Sequence, residues 1–272
     1  MRRAAQLFLS QPQVLTRAEP SRATHATPRR GNRRPRRGVR VVVTTLKIDV
    51  WSDVACPWCY IGKRRFSSAL DRIAERDGSA PEVEIEYHSF ELSPDTPVDF
   101  EGTATEFLAD HKGIPLETAR QMQDQVTQLA AAEGLTYRMD QVRHTKTLKA
   151  HELLHLAKAF GKQPEMKERL LRAYFTEGRH VGRVEDLADL AAEVGLEREA
   201  VVVALEAGTF AEAVADDVAR ARAFGINGVP FFVLDGKYGV SGAQDPDVFV
   251  QVLDRVLAER AASHTGEASR RD

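Results

Sequence analysis

Apolar and polar residues alternate through Leu46-Lys47-Ile48-Asp49-Val50, as in a strand with one buried face, and β-branched residues are frequent from Val41 onward. At Pro57 the period changes. Tyr60, Ile61, Phe66, Leu70 and Ile73 recur at helical spacing up to Asp77-Gly78, where glycine suits a helix end. Pro57 falls in the first turn of this helix, where its missing N–H costs nothing. Val83-Glu84-Ile85-Glu86-Tyr87 alternates again, so the first unit is predicted as strand, helix, strand, a right-handed crossover.

From Asp95 to about Gly208 the period is helical, predicting helices over 107–112, 116–133, 147–160, 165–176, 184–194 and 197–206. Gly134, Gly161, Gly178 and Gly195 punctuate them. A further helix over 210–224 leads to Gly225-Ile226-Asn227-Gly228-Val229-Pro230, after which strand character returns. Phe231 to Leu234 and Lys237 to Val240 flank Asp235-Gly236, read as a hairpin with a two-residue turn. A last helix over 246–260 precedes a polar tail. No internal repeat is evident.

Composition narrows the partners. With 43% hydrophobic and 29% charged residues, the 272-residue chain has the content of a globular protein with a real core. No stretch approaches the roughly 18 apolar residues of a membrane span. The net charge of −2 hides an asymmetry: residues 1–40 hold eleven Arg against Glu19, a balance of +10, which leaves −12 on the rest. An acidic body argues against specific nucleic-acid binding by the folded part. Residues 1–43 are read as a disordered basic leader, too charged and too poor in apolar residues to fold. They suit an organellar transit peptide or a nonspecific basic arm, or are never made if translation starts at one of Val39 to Val43. Leu7-Phe8-Leu9 is too short for a secretory signal, so a reducing, cytoplasmic location is expected, where a structural disulfide is improbable.

The only two cysteines, Cys56 and Cys59, stand two residues apart at the strand-to-helix junction. Thiol-disulfide exchange needs one thiolate to attack and a second thiol to release the mixed disulfide, and two cysteines one helical turn apart supply both. A helix starting near Cys56 would set its sulfur against unsatisfied N–H groups and lower its pKa. Cys59, within the first turn, is the buried resolving thiol. Asp53 is read chiefly as the cap of this helix and secondarily as a tuner of Cys56. Trp58 is a candidate substrate contact, and Trp51, on the strand, is read as core.

The element order, with Ser52 to Gly62 (SDVACPWCYIG), Tyr174-Phe175-Thr176-Glu177-Gly178 and Gly228-Val229-Pro230-Phe231-Phe232-Val233, resembles the DsbA-like thioredoxin-fold oxidoreductases, most closely their cytoplasmic FrnE-type branch. The resemblance spans about residues 45 to 260. It implies an α/β thioredoxin fold with a large helical insertion: residues 44–100 and 209–262 form the thioredoxin unit, 101–208 the insertion and 263–272 a flexible tail. It implies a redox-active Cys56–Cys59 disulfide and a cis Val229–Pro230 bond, with the Val229 backbone, Pro230 and Trp58 contacting an extended substrate. No tightly bound cofactor is implied; glutathione enters as a co-substrate. The partner is a disulfide- or thiol-containing protein or small molecule, without membrane association, and a homodimer is compatible with it.

Kappa-class glutathione transferases and 2-hydroxychromene-2-carboxylate isomerases share this scaffold. A glutathione-dependent isomerase or transferase is therefore the alternative. It leaves Cys59 idle, which favours disulfide exchange. His151-Glu152-Leu153-Leu154-His155 matches the H-E-x-x-H string of zinc peptidases but has no third ligand at the right spacing. Pairing these histidines with the cysteines would span ninety-one intervening residues, against about 12–15 in a zinc finger, so no metal site is expected. His88 with Tyr87, and Glu177, Arg179 and His180, are polar groups near the predicted cleft, read as a satisfied histidine and as a solvated loop or cleft lining.

Overall fold

A computed structural model describes residues 45–268. The basic leader over 1–43 lies outside the described residues. Strand β1 (Leu46–Ser52) runs into helix α1 (Pro57–Asp77), and β2 (Val83–Ser89) returns parallel to β1 in register Ile48 to Ile85. Helices α2 (Ala104–Lys112), α3 (Leu116–Ala132), α4 (Leu148–Ala159), α5 (Gln163–Phe175), α6 (Val184–Glu193) and α7 (Arg198–Glu206) follow, then α8 (Ala211–Ala223). The hairpin β3 (Phe231–Leu234) and β4 (Tyr238–Ser241) and helix α9 (Pro246–Ala268) close the chain. The sheet order is β2-β1-β3-β4, with β3 antiparallel to both neighbours. This is the thioredoxin-like α/β fold with helices inserted after β2.

Burial follows from that order. Central β1 has only Lys47 exposed, so the half-buried strand expected from its alternation is almost wholly enclosed. Helices cover both faces of the sheet, and a strand paired on both edges has no wet side. One face buries Leu46, Ile48, Val50 and Phe232 against Phe66 and Ile73 of α1 and Phe249, Leu253 and Val256 of α9. The other packs Trp51, Phe231 and Val233 against Ala221 of α8 and Ile226. The insertion has a core of its own, with Leu153, Leu170, Tyr174, Phe175 and Leu187, which also takes in Val54, Tyr60 and Ile61 beside the cysteines.

Three local expectations change. Helix α2 starts at Ala104, three residues before the predicted start, because Thr103 and Glu106 form a reciprocal capping box whose T-x-x-E string is plain in the sequence. The hairpin connection has three residues: Asp235 and Gly236 both take positive φ, at 55° and 65°, as type I′ turns require, but the strands rejoin at Leu234 and Tyr238, leaving Lys237 unpaired in the ladder. Helix α9 continues to Ala268 where a tail was expected from 263, since nothing between Ala261 and Ser263 breaks it.

The insertion is registered on the thioredoxin unit by polar contacts at both ends of one turn of α5. Gln163 donates from Nε2 to the Tyr87 carbonyl and accepts from the Tyr87 N–H, both at 2.9 Å, as a neighbouring strand would. Glu168 accepts from Tyr60 Oη and Lys63 Nζ, both at 2.6 Å, and pairs with Arg64, fastening α5 to the helix that carries the thiols.

Candidate redox site at the start of the first helix

The turn between β1 and α1 is built around one carboxylate. Asp53 Oδ1 accepts from Val54 N at 2.6 Å and Oδ2 from Leu92 N at 2.8 Å, while His151 Nε2 approaches Oδ1 at 3.2 Å. Asp53 is therefore no helix cap: Cys56 is the N-cap residue and has no side-chain cap bond, and Asp53 ties the turn to the loop after β2 and to α4. Burial alone would raise the Asp53 pKa, but His151 and the Leu92 N–H outweigh it and hold the carboxyl below the ordinary carboxylate range.

Cys56 takes an extended backbone, Pro57 opens the helix, and Cys59 N donates to the Cys56 carbonyl at 3.1 Å. Both cysteines are buried. They are free thiols here. The Val229–Pro230 bond is cis, and Cys56 Sγ donates to the Val229 carbonyl at 3.5 Å across 173 residues of chain. Gly62 makes that approach possible: a Cβ there would lie 2.9 Å from Pro230 Cγ. Tyr137 Oη donates to the Pro57 carbonyl at 2.7 Å. Trp58 between the cysteines is 39% exposed, and Trp51 is buried.

The two thiols shift in the opposite sense to that expected from the helix start. The hydrogen bond to Cys59 and burial push the Cys56 thiol well up, whereas Cys59 is lowered: burial opposes its ionisation, but the Cys56 S–H and the Lys167 charge prevail. Cys56 thus holds its proton more firmly than Cys59 does, with its S–H directed at the Val229 carbonyl. A helix N-terminus favours an anion near it, but a local hydrogen bond and a buried cation set which of two neighbouring sulfurs is the easier to ionise.

The H-E-x-x-H string does not converge on a common point. His151 turns to Asp53, His155 Nε2 to Asp217 Oδ2 at 3.1 Å, and Glu152 is fully buried with Lys149 Nζ 2.8 Å from Oε1. Asp217 also meets His88 Nδ1 at 2.7 Å and accepts from Ser89 N at 2.9 Å, while Asp49 meets His88 Nε2 at 2.7 Å. The His88 ring stacks on Trp51, with centroids 4.5 Å apart. Asp49, Glu86 and His88 could offer three ligand atoms to a cation, but Lys47 bridges the two carboxylates at 3.2 and 3.1 Å and Lys158 pairs with Glu86. Sequence reasoning reads His88 as satisfied but misses Asp217, 129 residues away. Glu177, Arg179 and His180 do not line the site: Glu177 pairs with Arg169 and Arg172, Arg179 with Glu193, and His180 Nδ1 accepts from the Gly182 and Arg183 N–H groups.

His88 yields a prediction with a definite sign. Burial would lower its pKa, but Asp217 and Asp49 together raise it. A raised folded pKa gives stability that is complete below the unfolded value, about 6.5, and is lost as pH rises through the folded value. The stability margin of the native protein over His88→Gln should therefore shrink as pH increases above neutrality. Urea melts of both at several pH values test this, and a margin that stays flat or widens would contradict it.

A profile of the DSBA-like thioredoxin domain matches residues 47–254. The chain belongs to the DSBA-like thioredoxin-domain family. A probable DsbA oxidoreductase of Streptomyces coelicolor is 40% identical, with 79% of this chain and 91% of that one covered and a TM-score of 0.72. The cytosolic disulfide reductase DsbM of Pseudomonas aeruginosa is 21% identical, covering 78% and 98%, TM-score 0.54, and has also been solved with GSH. A 2-hydroxychromene-2-carboxylate isomerase is 15% identical, covering 79% and 98%, TM-score 0.57. The last two share the fold. The region that the family profile matches in this chain holds both thiols and the cis-proline turn. Among the described residues, no helix is long and apolar enough to cross a membrane.

Proposed function

We propose that this DSBA-like chain is a thiol-disulfide oxidoreductase in which Cys56 exchanges with the substrate disulfide and Cys59 resolves the mixed disulfide. The observation that carries this reading is the approach of Cys56 Sγ to the Val229 carbonyl at the cis-proline turn, with a second thiol one helical turn further on. A sulfur donating to a backbone carbonyl sits where an extended substrate would run, so the Val229 backbone and Pro230 position the substrate and exposed Trp58 supplies an apolar contact. A cavity of about 240 Å³, lined by Phe90, Glu91, Val218, Arg222, Ile226 and Asn227, shares the loop that leads to Val229. It offers room for side chains flanking the substrate cysteine.

We place the reaction in the cytoplasm, with glutathione as the co-substrate that returns the pair to its working state. Equilibration in glutathione buffers of graded potential, followed by acid quench and mass tagging of thiols, tests the reading. Cys56 and Cys59 should oxidise together in one two-electron transition, with a tenfold change in equilibrium constant for each 30 mV or so. Two thiols that stay reduced at every ratio would refute it. The isomerase reading makes a different prediction: glutathione-dependent turnover of a chromene carboxylate that survives loss of Cys59.

A further inference from the structure

Lys167 is fully buried, a placement that is costly for an ammonium unless its charge is matched. Its Nζ would carry three N–H donors, yet its hydrogen-bond partner is the Ser52 carbonyl at 3.4 Å, a long contact, with the Tyr87 ring centroid 5.8 Å away. Among the described residues, no carboxylate lies within ion-pair distance of it. The groups that face it electrostatically are Cys59 of α1, Asp53 of the turn, Cys56 at the N-cap and, with like charge, Lys63 of α1. Asp53 is already engaged by Val54, Leu92 and His151 and is a fixed anion. The thiols are the only neighbours whose charge changes in a redox cycle.

Of the two thiols, Cys59 acts on the lysine the more strongly, and both lie in the same enclosed interior. Ser52 holds the lysine there: its carbonyl takes the Lys167 N–H at 3.4 Å, and its own buried Oγ has no hydrogen-bond partner among the described residues. The lysine itself is held in place, because Gln163 one turn earlier docks on β2 and the next residue, Glu168, clamps α5 to Tyr60, Lys63 and Arg64. We propose that Lys167, brought from the helical insertion, is the positioning residue of the resolving step, taking the Cys59 proton and then balancing the thiolate charge. This deepens the oxidoreductase reading and rests on it.

The step balances as follows. With substrate sulfur R–S joined to Cys56, the Lys167 amine accepts the proton of the Cys59 thiol. The Cys59 thiolate attacks Cys56 Sγ, the Cys56–Cys59 bond forms and the Cys56–S–R bond breaks. The electron pair leaves on R–S⁻, and the ammonium, now without its anion in a buried site, gives up the proton that ends on R–SH. Two electrons have passed from the cysteine pair to the substrate disulfide. Burial lowers the lysine pKa, and Cys59, Asp53 and Cys56 oppose that fall.

A disulfide dye that releases a coloured thiol at each stage separates the two events: Cys56 attack releases the first equivalent, Cys59 attack the second. In Lys167→Met the first phase should stay within about threefold of native, while the second slows about tenfold at neutral pH and its pH profile moves upward, because each unit added to the Cys59 pKa removes thiolate faster than nucleophilicity recovers. A folded Lys167→Met protein with native second-phase rate and pH profile would overturn the proposal. If native protein releases only one equivalent, the oxidoreductase reading itself fails. Should Lys167→Met not fold, thiolate absorbance of Cys56→Ser against pH decides: a Cys59 midpoint below about 8.5 supports the lysine's role, and one at or above that ordinary thiol value overturns it.

Discussion

Cys56→Ser should lose disulfide-exchange activity by at least about a thousandfold, since it removes the nucleophile on which every later step depends. Cys59→Ser should behave differently. Its Cys56 can still attack, so the protein should accumulate as a mixed disulfide with its substrate, visible as a mass adduct that dithiothreitol removes. The contrast follows from where the sulfurs lie. Cys56 is the N-cap residue and faces Val229 at the cis-proline turn, whereas Cys59 is enclosed in the first turn and within the field of Lys167. Insulin reduction, with mass spectrometry of the trapped species, measures both effects. Equal and full activity in the two variants would remove the assignment of roles, and so would an adduct that forms on Cys59 in the Cys56→Ser protein.

Asp53→Ala should lower stability by about 3–5 kcal/mol at neutral pH, the range for breaking a buried charged pair from one side. Its buried carboxylate serves the N–H groups of Val54 and Leu92 and the His151 ring at once, and its removal leaves these groups without their partner. For a domain of this size the loss corresponds to roughly 10 °C in melting temperature. The pH dependence has a fixed direction. The folded pKa lies below the unfolded one, so the carboxylate contributes fully above the unfolded value of about 3.9, and the contribution disappears as pH falls through the folded value. The gap between native and variant should therefore be wide at pH 7 and close in acid. Denaturant melts across that range provide the measurement, and a gap of under about 1 kcal/mol at pH 7 would show the Asp53 network to be dispensable.

Much of this site is legible in the linear chain because its chemistry is local. Two cysteines one turn apart, a strand that ends just before them and a proline that opens the helix announce a redox pair wherever they occur. The strands, the helices of the insertion and the Asp235-Gly236 turn follow from periodicity and from backbone preferences that act over a few residues. The capping box at Thr103 was equally available, and its signal lay in the spacing of Thr103 and Glu106. Even the link between Cys56 and Val229 is implied by resemblance, although no spacing argument could supply it.

Charge placement is another matter. Nothing near Lys167 in the sequence distinguishes it from a solvated lysine on an amphipathic helix, and it is the packing of α5 on β2 and α1 that removes its water. The same holds for Asp217, which meets His88 and His155 only because α8 crosses the face of the sheet. The H-E-x-x-H string shows the converse: a convincing motif whose members are sent to Asp53 and Asp217 by the helices around them. Cys56-Pro57-Trp58-Cys59 and the individual strands and helices were therefore determined by residues within a few positions of one another, and the fold by their order along the chain and its resemblance to a known family. Which sulfur is the easier to ionise was decided only in the folded chain, because desolvation and Coulomb energy depend on distances that sequence separation does not set.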